Sequence, residues 1–224
     1  MLKEGTVREL SDDIINKAVK TIEIEQSQEN NVDYKLNDEQ TNAVFTILKN
    51  RVSIVTGGPG RGKTTILKTA LEAWINSNNK DKSRITPPQF FLLAPTGKAA
   101  KRMTESTGYT ALTIHRFLKK NSAGITNNDT LICIDESSMV DLSLITRLLL
   151  KCRRAQIAFI GDADQLPSVG AGNVLEDLVN SKVIPCAFLV KCYRNTGSIL
   201  RNSELINEGH DLQELIIDNH FRTY

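Results

Sequence analysis

From Leu36 onward, short and almost wholly apolar runs alternate with segments whose apolar residues recur at helical spacing. The apolar runs are Val52–Thr56, Gln89–Leu93, Leu131–Ile134, Gln156–Ile160 and Val183–Val190. Strands read this way when both faces of their sheet are covered, because neither face then leaves a position for a polar residue. In the intervening segments, Ile66, Leu67, Ala70, Leu71, Trp74 and Ile75 fall on one helical face, and Leu142, Ile145, Leu148 and Leu149 on another. The alternation predicts a parallel α/β sheet flanked by helices. Before Leu36 there is one helical candidate, Asp12 to Ile24, and the polar run Gln26–Asp33 reads as a linker. The predicted organisation is an N-terminal helical and linker segment over 1–35, one α/β domain over 36–210, and a tail over 211–224. Long polar loops are expected at Asn76–Pro88 and Ser122–Asp129.

Composition narrows this picture only slightly. Of the 224 residues 40% are hydrophobic, enough for a substantial core, and the net charge of +2 gives no general basic surface. An argument for nucleic acid must therefore be local. No apolar run approaches membrane-spanning length, and MLKEGTVREL has no signal-peptide core. Cys133, Cys152, Cys186 and Cys192 have neither a C-x-x-C pair nor zinc-finger spacing, which predicts free thiols and a cytoplasmic setting.

Three segments carry chemistry, each at the end of an apolar run. GGPGRGKTT, Gly57 to Thr65, is the phosphate-loop pattern G-x-x-x-x-G-K-[ST] between a strand and a helix. Gly58, Pro59, Gly60, Arg61 and Gly62 form a loop whose amides can point at phosphate oxygens, and the following helix aims its dipole at the same anion. Lys63 can reach the β- and γ-phosphates, and the Thr64 hydroxyl, beside Thr65, is placed for magnesium. In the second segment, Ile132-Cys133-Ile134-Asp135-Glu136, a strand ends in two acids and is expected beside the phosphate loop. Asp135 would hold magnesium through water and Glu136 would polarise the attacking water. The third, Phe159 to Pro167, runs a strand into Asp162, Asp164 and Gln165, whose neutral amide can sense a γ-phosphate. The cofactors predicted are ATP and Mg2+.

The order GGPGRGKTT, APTGKAAKRM, TIHRFL, IDESSMVD, GDADQLPSVGAGNVLEDL and YRNTGSI resembles the RecD-like branch of superfamily 1 DNA helicases, the exodeoxyribonuclease V alpha-chain type, from about Leu36 to Gly209. The resemblance implies a RecA-like P-loop motor lobe that moves 5′ to 3′ on single-stranded DNA at the expense of ATP. It implies that Gln40 reads the adenine ring, although Asn37-x-x-Gln40 is equally a capping-box pattern. It places single-strand contacts at Pro95, Thr96, Gly97, Lys98 and His115, and an arginine near the γ-phosphate at Arg194. Lys98, Lys101, Arg102, Arg116, Lys119 and Lys120 oppose only Glu105 across residues 98–120, a local basic stretch able to neutralise phosphates.

Two positions depart from the family pattern. Arg61 stands where a small hydroxyl residue is usual, and Asn195 where a glutamine usually follows the arginine. Such motors have two RecA-like lobes, and 30 residues follow Arg194. The expectation is thus a first motor lobe whose second lobe lies outside this chain, with weak or no turnover on its own. Subunits of a helicase–nuclease complex are the partners expected, with no membrane. A helicase segment of a conjugative relaxase and a nucleotide-gated binding module are the alternative readings.

Overall fold

The computed structural model describes residues 10–77, 89–121, 124–125 and 129–191. Its centre is a six-stranded, wholly parallel sheet in the order β3-β2-β4-β5-β1-β6. The strands are β1 (Val52–Gly57), β2 (Gln89–Ala94), β3 (Ala111–Thr113), β4 (Thr130–Ile134), β5 (Gln156–Gly161) and β6 (Cys186–Leu189). Every residue of β4 and β5 is buried, as their unbroken apolar runs require.

Helices cover both faces. On one side α1 (Asp12–Asn30), α2 (Asp38–Lys49), α3 (Lys63–Asn76) and α4 (Gly97–Thr107) build a core around Ile15, Ile47, Ile66, Leu71 and Trp74. On the other, α5 (Ile114–Lys120), α6 (Leu142–Lys151) and α7 (Val174–Asn180) build one around Phe117, Ile134, Leu148 and Phe159. Trp74 is fully buried, and its indole N–H donates to the Gln89 carbonyl at 3.0 Å, pinning α3 to the start of β2.

Several expectations change. The run Gln26–Asp33, expected as a linker, is helical as far as Asn30, and the helix stops where Asn31 turns left-handed at φ 57°. Its polar side chains bind the returning chain. Ser27 Oγ accepts from the Tyr34 amide at 2.9 Å, and Glu23 Oε1 from the Leu36 amide at 3.0 Å. Leu10, Ile15, Ala18 and Ile22 share the core of α3, so α1 is packed against the sheet-covering helices. The run Val183–Val190 is a strand only over Cys186–Leu189. Lys182 turns left-handed at φ 54°, and Pro185 has no amide to donate to a ladder. On α6, Leu142 faces solvent and Leu144 lies inside in its place. The three-residue β3 and the short α7 leave too little periodicity to be read from sequence.

Candidate nucleotide site and basic edge

The strands all point their C-terminal ends the same way, and the chemistry collects there, as in open α/β sheets generally. The phosphate loop follows β1 and runs into α3 at Lys63. Gly62 lies at φ 86°, which L side chains rarely adopt, and a Cβ there would strike the Gln40 amide. A Cβ on Gly57 would lie 2.7 Å from both the Cβ and the carbonyl oxygen of Leu189, so the loop leaves the sheet hard against β6. Lys63 Nζ donates to the carbonyls of Gly57 and, at 3.0 Å, of Gly58. Burial pushes this ammonium below the ordinary lysine range, while Asp162, then Asp135 and Glu136, pull it back up. One half-buried cation thus lies within electrostatic reach of three carboxylates.

Asp135 and Glu136 leave β4, which pairs with β2 and β5, so β5 separates them from β1. The carboxylate on the strand neighbouring β1 is therefore Asp162. This corrects the expectation that the Asp-Glu strand lies beside the phosphate loop. Burial raises the Asp135 carboxyl above its ordinary value, and the Glu136 amide, hydrogen-bonded to it, partly offsets the rise. Glu136 sits at φ 51° and the chain turns there into the short 3-10 turn Ser137–Met139. A left-handed non-glycine backbone costs on the order of 1–2 kcal/mol, and such cost persists mainly at functional sites. Ser137 Oγ donates to the Ile160 carbonyl at 2.8 Å and locks that turn onto β5.

Asp162 is 5% exposed and its Oδ1 accepts from the Asp164 amide at 3.2 Å. Thr56 Oγ1 accepts from the Ala163 amide at 3.0 Å, tying the end of β1 to the loop after β5. Gln165 is exposed, and its amide donates to the Asp162 carbonyl at 3.3 Å. In the sequence Gln165 carries the γ-phosphate expectation and Asp162 carries none. The signal was present in a strand running straight into an acid, but it needed the strand order to be read. Thr64 is exposed, Thr65 half-buried with its carbonyl accepting from Thr69 Oγ1, and Pro59 exposed.

Gln40 is 1% exposed and the capping box is formed. Its amide N–H donates to Asn37 Oδ1 at 2.8 Å, its Oε1 accepts from the Asn37 amide at 3.2 Å, and its Nε2 reaches the Arg61 carbonyl at 3.5 Å. The side chain caps α2 and touches the phosphate loop at once. Arg61 folds back across Gly58 and donates from Nη1 to the Leu189 carbonyl at 2.7 Å. It lines a cleft of about 210 Å³ between the ends of β1, β5 and β6, with Thr56, Asp164 and Phe188 among the other walls.

The strand-contact candidates meet at the far edge of the same crevice. Ala94 pairs with Thr113, so the turns that follow β2 and β3 are neighbours. Thr96 caps α4, its Oγ1 accepting from the Ala99 amide at 3.2 Å, and Thr113 caps α5 in the same manner. Pro95 is half-buried, and Gly97, Lys98, His115, Arg116, Lys119 and Lys120 are exposed. Within the basic stretch, Lys101 pairs with Glu105 at 3.8 Å. Arg194 lies outside the described residues. Among the described residues no group of three His, Cys, Asp or Glu side chains could hold a metal, and no helix is long and apolar enough to cross a membrane.

The profile of the AAA domain family matches residues 35–220. The ATP-dependent RecD2 DNA helicase of Deinococcus radiodurans is 33% identical over 79% of this chain and 24% of its own length. The RecBCD enzyme subunit RecD of Mycobacterium tuberculosis is 36% identical over 64% of this chain and 29% of its own. The uncharacterized protein MJ1519 of Methanocaldococcus jannaschii is 38% identical over 64% of this chain and 14% of its own. The chain therefore spans less than a third of the length of these relatives. Among solved structures, the Pif1 helicase of Candida albicans superposes with a TM-score of 0.59 at 20% identity, over 79% of this chain and 45% of that one, a likeness of fold. Phosphate loop, paired acids, sheet order and relatives agree: the chain belongs to the AAA domain family, as a RecD-like superfamily 1 helicase motor domain.

Proposed function

We propose that this domain binds ATP with magnesium at the ends of β1, β4 and β5, and couples its hydrolysis to 5′–3′ movement on single-stranded DNA. The observation that carries the reading is Lys63, half-buried, with its ammonium held on the Gly57 and Gly58 carbonyls of the phosphate loop and within electrostatic reach of Asp162, Asp135 and Glu136. Its ammonium is positioned to exchange two loop carbonyls for phosphate oxygens. The donor set fits magnesium, which usually keeps water and substrate phosphates as ligands and needs only one or two protein oxygens. Thr64 and Asp135 would supply those oxygens. When bound, the ion would neutralise charge on the phosphates. Glu136 orients the attacking water, Gln165 senses the γ-phosphate, and Gln40, held at the loop by its capping box, would read the adenine ring with its side-chain amide. Arg194 would add transition-state charge stabilisation.

Thr96, Lys98 and His115 form the DNA-facing edge, with Pro95 and Gly97 shaping the turn. The relatives named as RecBCD subunits support partners in a helicase–nuclease complex. The test is ATP turnover with and without single-stranded DNA. Turnover should rise with DNA and fall by about 100-fold or more in Glu136→Gln, the scale of a lost catalytic base. Turnover that is indifferent to both DNA and Glu136→Gln would contradict the proposal.

A further inference from the structure

Three elements distant in sequence converge where the chain leaves β6. Glu39, on the first turn of α2, is half-buried, and its Oε2 accepts from the amides of Val190 at 2.8 Å and Lys191 at 3.2 Å. Arg61, from the phosphate loop, donates to the Leu189 carbonyl at 2.7 Å. Gln40, the residue after Glu39, reaches the Arg61 carbonyl at 3.5 Å. Three consecutive backbone groups of the β6 exit, one acceptor and two donors, are thus held by one acid and one base. Each of these hydrogen bonds involves an ionised side chain, the stronger class. Gly57 is packed against Leu189 at the same place, so the loop and the exit have no slack between them.

We infer that Glu39 is a positioning residue that fixes the β6 exit, and through it the Arg61 guanidinium, beside the nucleotide phosphates. Arg61 has a long side chain on a glycine-rich loop, and its guanidinium is anchored on the Leu189 carbonyl. Its anchor is a carbonyl whose own position depends on the two amides that Glu39 holds. Without Glu39 the exit loosens, and Arg61 loses the fixed point that keeps it across Gly58. The inference rests on the nucleotide-site reading above and adds a residue to it.

The test is a double-mutant cycle on magnesium-ATP affinity, measured by titration of the unmodified chain, Glu39→Ala, Arg61→Ala and the double variant. Hydrogen exchange of residues 186–191 serves as the structural readout. Glu39→Ala should speed exchange at Val190 and Lys191 and weaken ATP binding about five-fold, the net size of one ordinary hydrogen bond, because Glu39 acts on the site only through Arg61. In the Arg61→Ala background the same substitution should change affinity less than about two-fold, because contacts acting as a unit are not additive. Glu39→Gln, which keeps an acceptor but not the charge, should recover part of both effects. Glu39→Ala with undiminished affinity, or with an equal loss in both backgrounds, would overturn the inference while leaving the site intact. No ATP binding by the unmodified chain would overturn the site reading itself, and this inference with it.

Discussion

Asp135 and Glu136 show how far individual residues here depart from what stability alone would favour. Burial raises the Asp135 carboxyl, so its neutral form suits the fold better than its anion. That preference stabilises the fold fully below the ordinary carboxylate range and is lost as pH rises through the raised value. At neutral pH the anion is therefore a burden, and Asp135→Asn should unfold at higher temperature by the equivalent of ~0.5–2 kcal/mol while losing turnover. Thermal unfolding at neutral pH and in acid checks this, since the advantage should vanish in acid. An asparagine variant no more stable at neutral pH would show that the carboxylate is not under strain. Lys63 and Asp135 were legible in the sequence because motif chemistry fixes residue type at a fixed place on a strand or helix. Asp162 and Glu39 were not. Their roles come from β5 and β6 flanking β1, and neither neighbour relation is written in local spacing.

At the scale of elements, caps and pinning contacts set where the functional turns lie. Thr96 both ends the turn after β2 and caps α4. Thr96→Val, which keeps the shape and removes the oxygen, should cost about 1 kcal/mol of stability by denaturant unfolding and weaken single-strand binding as well. A variant that loses stability but binds DNA undiminished would confine Thr96 to the cap. Trp74→Ala should cost about 3–5 kcal/mol, since it removes a fully buried ring and leaves the Gln89 carbonyl without its indole donor. The long apolar strands were readable from their unbroken runs. The extension of α1 through Gln26–Asn30 was not, because side chains that bind the returning backbone have the same polarity as a solvated linker. On α6, Leu142 and Leu144 flank Ile145 on opposite sides within about 100° around the helix, so periodicity alone does not say which points inward.

For the molecule as a whole, the parallel sheet sends two sets of residues to one rim, the phosphate loop and acids at β1, β4 and β5, and a basic edge at β2 and β3. Net charge conceals that edge, since +2 is spread over 224 residues. If Lys98 and Arg116 each meet a phosphate, converting both to glutamine should flatten the plot of log affinity against log salt by about 0.7 per lost contact. A slope unchanged by both substitutions would remove them from the strand path. The fold class was legible because alternation of strand and helix admits few architectures. Strand order, which puts the strand leading to Asp162 next to β1, had to be seen. The measurement that bears most directly on the nucleotide site is magnesium-ATP titration of the chain against Lys63→Ala, with circular dichroism to confirm the fold. Binding by the unmodified chain and its loss by about 100-fold or more in a folded Lys63→Ala variant is the predicted result, on the scale of a truncated buried charge partner. Equal affinity in the two would contradict the assignment of the phosphate loop.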